Sequence, residues 1–216
     1  MDNLTWKNKL AVYLVIGIEE IGGRSALETV RLAIAGGATA VQLREKHAPL
    51  QHVLETGKKM RELCREHGVP FIVNDRVDVA MLLDADGIHV GQDDLPASEV
   101  RKLTKERMFI GVSASSVEEA HWALAQGADY LGVGAIYATG SKSDAGDPVT
   151  PALIGEIRTF SDIPIVGIGG ITSDNCSEVM KQGADGVAVI SAIVGQPDPK
   201  QAAAHLHEII ATCIVK

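Results

Sequence analysis

Cysteine is scarce in this chain of 216 residues, and the three that occur exclude two kinds of scaffold. Cys64, Cys176 and Cys213 are odd in number, widely separated and free of CxxC or Cys/His spacing, so neither a disulfide framework nor a zinc site is implied. A reducing, cytoplasmic compartment is expected. Long apolar runs are missing as well. The stretch "LAVYLVIGI" at residues 10–18 is too short to span a bilayer and leads into Glu19 and Glu20 rather than a small-residue cleavage site, so it reads as a strand. Positive charge is in deficit, with 20 Lys and Arg against 28 Asp and Glu and a net charge of −8. That balance argues against nucleic-acid binding, which needs a basic footprint, but allows a few cations to hold a phosphorylated small molecule. Low-complexity segments, charge blocks and Pro/Gly/Ser-rich linkers are absent too, which favours a single domain over residues 1–216.

What the chain has instead is a hydrophobic content of 46% and a recurring pattern. "AGGATAVQLR", "LDADGIHVG", "AQGADYLGVG" and "KQGADGVAVI" each place a helix-ending Gly or Asp, a short turn and a hydrophobic strand in succession. Glycine closes a helix in the left-handed conformation, and a β-rich run then enters a sheet. Strands are expected near 10–17, 40–45, 70–75, 87–91, 108–113, 130–136, 164–169 and 186–191, each followed by a helical pattern, near 25–36, 50–67, 77–84, 97–106, 116–126, 150–160, 174–182 and 199–213. The strands are near-continuous apolar runs, as burial on both faces of a parallel sheet requires. Eight such units predict an α/β fold, a single (β/α)8 barrel with its active site at the C-terminal ends of the strands. An open doubly wound sheet is the alternative, weakened because no G-x-G-x-x-G opens the first unit.

Function should therefore be read from the residues that close each strand. These are unusually polar: "VQLREK", "IVND", "HVGQDD", "GVSAS", "GAIYATGSK", "VGIGG" and "VISA" for strands 2 to 8. Asp75 and Asp94 close neighbouring strands and could approach a common point, where two carboxylates suit Mg2+ with its other positions left to water and phosphate oxygens. The alternative is that Asp75, and Asp93 or Asp94, merely cap the next helices. Arg44, Lys46 and Lys142 form a cationic cluster that invites an anion, unless each projects into solvent. "VGIGG" and "VIS" resemble the backbone phosphate cradle that many barrels build after strands 7 and 8, although Gly169 and Gly170 could be plain turn residues. His89, inside strand 4, reads first as a hydrogen-bonded core histidine and second as a substrate contact.

Taken in this order, "QLREK", "VND", "GIHVGQDD", "GVSAS", "GSK", "VGIGGI" and "VISAI" resemble the thiamine-phosphate synthase family over roughly residues 13–193. The resemblance implies two substrates, a hydroxymethylpyrimidine diphosphate and a hydroxyethylthiazole phosphate, with Mg2+ assisting diphosphate release. By motif, Gln42, Leu43, Arg44, Glu45, Lys46, Asn74, Ser113 and Lys142 would bind the pyrimidine diphosphate, with Arg44, Lys46, Ser113 and Lys142 acting catalytically. Asp75 and Asp94 would hold Mg2+, and Thr139, Gly140, Ser141, Gly170, Ile190 and Ser191 would bind the thiazole phosphate. C–O cleavage running ahead of attack would put charge on the leaving diphosphate, which Mg2+, Lys142 and Arg44 would stabilise. No general base is then needed, and no Ser/His/Asp or Cys/His relay is evident.

The loop "GAIYATGSK" departs from the family's common G-P-x-x-P-T-x-T-K, with Ala135 and Ala138 at the proline positions and Ser141 for threonine, which implies a looser loop. Three other readings share the barrel. A thiazole tautomerase would want a histidine near the end of strand 5, where Ser115 stands. A Schiff-base aldolase would use Lys142, which lies in a polar loop with little to lower its pKa. A non-catalytic phosphate-binding regulator has no need of paired acids. Small-molecule partners are expected, with no nucleic acid and no membrane. A homo-oligomer is compatible with the sequence, although no interface stripe marks one.

Overall fold

The computed structural model describes residue 6, residues 9–140 and residues 147–214. Eight strands, β1 Val12–Ile16, β2 Ala40–Leu43, β3 Phe71–Asn74, β4 Gly87–Val90, β5 Phe109–Ala114, β6 Tyr130–Val133, β7 Ile165–Ile168 and β8 Gly186–Val189, close into one barrel in sequence order. All neighbours are parallel, and β8 pairs with β1, which excludes the open sheet. The helices are α1 Ala26–Ala35, α2 Leu50–Glu66, α3 Val77–Leu82, α4 Ala97–Thr104, α5 Val117–Ala125, α6 Ala152–Arg158, α7 Cys176–Lys181, α8 Ser191–Val194 and α9 Pro199–Ile214. No described helix is long and apolar enough to cross a membrane. Three expected strand ends run too far by two residues or more. β2 stops at Leu43, because beyond the last rung, the Arg44 N–H to Ile16 carbonyl bond of 2.8 Å, the chain turns away from its neighbour. β6 stops at Val133 and not at residue 136, because the Gly134 N–H still reaches the Ala114 carbonyl of β5 but the chain then crosses to β7, where the Ile136 N–H donates to the Ile168 carbonyl. β8 stops at Val189, and Ser191 opens the short helix α8 instead of ending a strand.

The four repeats noted in the sequence mark one structural device. The helix-ending residue is left-handed in each: Gly37, Asp84, Gly127 and Gly183 have φ of 102°, 49°, 82° and 93°. Two residues later stand Thr39, Asp86, Asp129 and Asp185. Each clamps the preceding odd strand at two points, its N–H donating to a strand carbonyl and its side-chain oxygen accepting that same residue's N–H. The clamped residues are Val12, Phe71, Ile110 and Ile165, with side-chain distances of 2.9, 2.8, 2.7 and 2.7 Å. Arg61, Arg101 and Arg158, from α2, α4 and α6, close the three aspartate clamps and also donate to the carbonyls of Asp84, Met108 and Gly183. The acid thus satisfies a strand-initiating N–H that would otherwise have no ladder partner.

Inward and outward residues alternate along each strand. Val12, Leu14 and Ile16 pack with the helices, whereas Tyr13 and Val15 join Ala40, Ile72, Tyr130, Val166 and Ala188 inside the barrel. Trp6 stacks on Phe109 at 4.4 Å and seals the lower end. Asp86→Ala should strip both Arg61 and the Phe71 N–H of their partner and cost about 3 kcal/mol. Thr39→Val, which removes an uncharged clamp, should cost about 1 kcal/mol. Chemical denaturation midpoints test both, and equal effects would refute a charge-assisted clamp.

Candidate active site

The upper ends of the strands enclose a cavity of about 600 Å3. One side is formed by Arg44, Lys46, Asn74, Asp75, Asp94 and Ser113, the other by Thr139, Gly170, Ile190 and Ser191. Asp75 sits just past β3 in a left-handed conformation, φ 58°, which short polar side chains tolerate best. Its N–H donates to the His89 carbonyl at 2.8 Å, and its carboxylate lies 3.5 Å from Lys46 Nζ and within hydrogen-bonding reach of Asp94. Asp94 in turn accepts from the Gly91 N–H at 2.8 Å. Neither acid is a helix cap: α3 and α4 begin after Arg76 and Pro96 with no side-chain cap. Burial, and then the adjoining Asp94 carboxyl, push Asp75 up to about 6 against the partial relief that Lys46 gives.

Ser113 ends a polar chain that runs down through the barrel interior. Its hydroxyl meets His89 Nε2 at 3.0 Å, His89 Nδ1 meets the Tyr130 hydroxyl at 2.9 Å, Tyr130 meets Tyr13 at 2.9 Å, and Gln42 Nε2 donates to Tyr13 at 2.8 Å. Burial holds both phenols above the usual range. Glycine makes the room: a Cβ on Gly111 would lie 2.1 Å from the Tyr130 ring, and one on Gly132 would lie 2.8 Å from His89. On the far side, Gly169 and Gly170, with φ of 99° and 63°, let the loop after β6 press close, since a Cβ on either would fall 2.6 to 2.7 Å from Ala135 or Ala138 backbone. That loop is tied where it is described, by Ile136 and Tyr137 N–H bonds to Ile168 and Gly169 and by the Tyr137 hydroxyl on Glu178 at 3.0 Å.

A family model described as thiamine monophosphate synthase matches residues 12–193. The chain belongs to this family. A thiamine-phosphate synthase of Moorella thermoacetica is 53% identical over 199 residues, covering 92% of this chain and 95% of the relative. One from Roseiflexus castenholzii is 46% identical over 200 residues, covering 93% and 88%. The solved thiamine phosphate pyrophosphorylase of Pyrococcus furiosus superposes with a TM-score of 0.87 at 40% identity, covering 96% of this chain and 98% of that one. The chain is accordingly an enzyme of the thiamine-phosphate synthase type, a transferase of thiamine biosynthesis.

The residues that the family motifs mark are not all brought to the cavity. Arg44, Lys46, Asn74, Asp75, Asp94, Ser113, Thr139, Gly170, Ile190 and Ser191 are; Gln42, Leu43, Glu45 and Gly140 are not in its wall, and Ser141 and Lys142 lie outside the described residues. Gln42 is 3% exposed beneath the cavity, and Leu43 faces a second, small recess with Glu45. Glu45 is a loop anchor: burial would raise its pKa, but backbone N–H groups of His47, Ala48 and Ile18 outweigh that and hold it below the usual range. His89 is the hydrogen-bonded core histidine expected, with Ser113 as its upper partner. Tyr13 and Tyr130 are site-supporting residues that the sequence did not mark, because each lies in a strand buried on both faces. Nor did it mark Gln92, whose Nε2 donates to the Ser113 carbonyl at 2.6 Å.

Asp94→Asn keeps an acceptor for Gly91 while removing a charge, so Asp75 should titrate well below its wild-type value of about 6. Because folding raises the Asp75 pKa, its stabilising contribution is complete below about 4 and is lost as pH rises through about 6. The Asn variant should therefore be more stable than wild type at pH 7 and equal to it near pH 4. Carboxyl NMR titration with melts at the two pH values checks this, and a stability gain independent of pH would contradict it.

Proposed function

We propose that this enzyme joins 4-amino-5-hydroxymethyl-2-methylpyrimidine diphosphate to 4-methyl-5-(2-hydroxyethyl)thiazole phosphate, giving thiamine phosphate and diphosphate, in the cytoplasm. The observation that carries this reading is the acid pair Asp75 and Asp94, beside Lys46, in one cavity with Arg44, Ser113, Gly170 and Ser191. Two anionic groups can be seated there, one on each side. Among the described residues the wall holds five carboxylates, Asp75, Asp93, Asp94, Glu119 and Asp147, against two cations, Arg44 and Lys46. Such a wall repels a diphosphate unless another cation intervenes.

The acid pair fits Mg2+. Its donors are hard oxygens, two carboxylates are what this ion ordinarily takes from a protein, and Asp75, whose pKa is raised first by burial and then by the adjoining Asp94, would be relieved by a cation shared with Asp94. When bound, Mg2+ would neutralise charge building on the leaving diphosphate. Arg44 and Lys46 would grip the same oxygens, and Lys142 is assigned there by family motif. The CH2–O bond to diphosphate breaks and the CH2–N bond to the thiazole forms, with no proton removed from the nucleophile, so no general base is required. Gly170 and Ser191 would hold the thiazole phosphate.

The deciding assay measures diphosphate release with both substrates, with each omitted, and with Mg2+ chelated. Release that needs all three, with thiamine phosphate appearing, is the expected result; binding of the thiazole phosphate without release would favour a regulator. Asp75→Asn, which tolerates the left-handed backbone, should remove Mg2+-dependent turnover while leaving the fold intact. Lys142→Ala should slow the chemical step about a hundredfold, whereas a change confined to the KM for thiazole phosphate would move Lys142 to the other anion.

A further inference from the structure

The polar chain inside the barrel has a direction, and the direction decides what Ser113 can do. An amide nitrogen only donates, a hydroxyl carries one proton, and a neutral imidazole carries one proton on one of its two nitrogens. With Gln42 Nε2 donating to Tyr13, the Tyr13 proton is left for Tyr130, the Tyr130 proton for His89 Nδ1, and the imidazole proton sits on Nε2 facing Ser113. Run the other way, the Tyr13 oxygen would accept twice. Its own proton, on a residue 2% exposed, would then have no acceptor among the described residues.

We propose that Gln42, Tyr13 and Tyr130 form a one-way hydrogen-bond relay that fixes His89 as its Nε2–H tautomer, so that Ser113 presents its hydroxyl proton to the cavity as a donor. Ser113 already accepts from His89 and its backbone carbonyl is held by Gln92, which leaves the hydroxyl proton as its free valence toward the ligand. Resting on the reading above, this is the polarity that an anion demands, because a serine spending its proton on His89 would set lone pairs against phosphate oxygens. His89, Tyr130, Tyr13 and Gln42 are then positioning residues. They act on the substrate through Ser113, and Gln42 does so across four hydrogen bonds.

Long-range proton–nitrogen correlation spectra of the substrate-free, 15N-labelled enzyme test this, with His89 assigned by loss of its signals in His89→Gln. A protonated Nε2 with a bare Nδ1 is expected; any other pattern for His89 overturns the relay. That result is independent of turnover, so it is separable from failure of the synthase reading in the diphosphate assay. Gln42→Glu replaces an amide donor by an acceptor of the same shape and should reverse the chain. The proton should appear on Nδ1, and diphosphate release should fall about a hundredfold with an unchanged KM for thiazole phosphate. A Gln42→Glu enzyme that keeps the Nε2–H form would overturn the proposal. If that variant does not fold, the wild-type spectrum decides alone.

Discussion

Strand register is the constraint on which the upper rim depends. In a barrel whose inward and outward residues alternate, slipping one strand by a single residue exchanges its two faces. Asn74, His89 and Ser113 would pass into the helical layer, and Val73, Ile88 and Val112 into the barrel. The clamps that set register are at the opposite rim, where Thr39, Asp86, Asp129 and Asp185 each grip the first residues of an odd strand by both backbone groups. A carboxylate that takes a strand N–H and an arginine together joins three elements at one point, so helix, odd strand and even strand cannot shift independently. The catalytic rim can then be built from irregular chain, such as the left-handed turn at Asp75, because its geometry is fixed from below.

The interior between the rims is where stability and function compete. A core of aliphatic layers is the usual filling of such a barrel, and Val15, Ile72 and Val166 supply part of one. Two phenols, an imidazole and an amide occupy the rest, and that is affordable only because each polar group meets another. Space for them comes from leaving out side chains at Gly111 and Gly132. Strand glycine ordinarily weakens a sheet. Here it exchanges apolar packing for a hydrogen-bonded path that ends at Ser113 in the cavity wall.

How much of this could be read from the chain follows from which signals are local. The eight units, the left-handed helix ends and the polar strand closures are local patterns, and they survive because parallel strands buried on both faces leave an unmistakable apolar run. The same burial hides Tyr13 within "VYLVI" and Tyr130 within "YLGV": where both faces are apolar, hydropathy no longer tells inside from outside, and only the closed register does. Strand ends were overrun at β2, β6 and β8 for a related reason, since Arg44, the apolar run from Ala135 to Ile136 and Ser191 continue the composition of a strand after its ladder has ended. Asp75 and Asp94 were legible as a pair only through adjacency of β3 and β4. Their separation from capping duty needed coordinates, because an Asp two residues before a helix looks the same in either role. The acids of the recurring GAD pattern show the reverse case, being visible in sequence as punctuation while their clamp on another strand was not.

Charge accounts for the shape of the site better than any single residue. An acidic wall around a cavity proposed to take anions is self-defeating unless its acids are engaged, and two of the five carboxylates are held by donors from neighbouring residues. Glu119 is occupied by the Ser115 N–H and hydroxyl, and Asp94 by the Gly91 N–H. Asp75 is held differently. Burial, and then the adjoining Asp94 carboxyl, raise its proton affinity, and its half-exposed lysine partner gives only partial relief. A structural acid would be expected to find a backbone donor, as Asp86 and Asp129 do in the same fold. An acid held next to its like, on a left-handed residue that any β-branched side chain would resist, gains stability from a nearby cation, so under the proposed reading binding of the ion at Asp75 and loading of the diphosphate would favour each other.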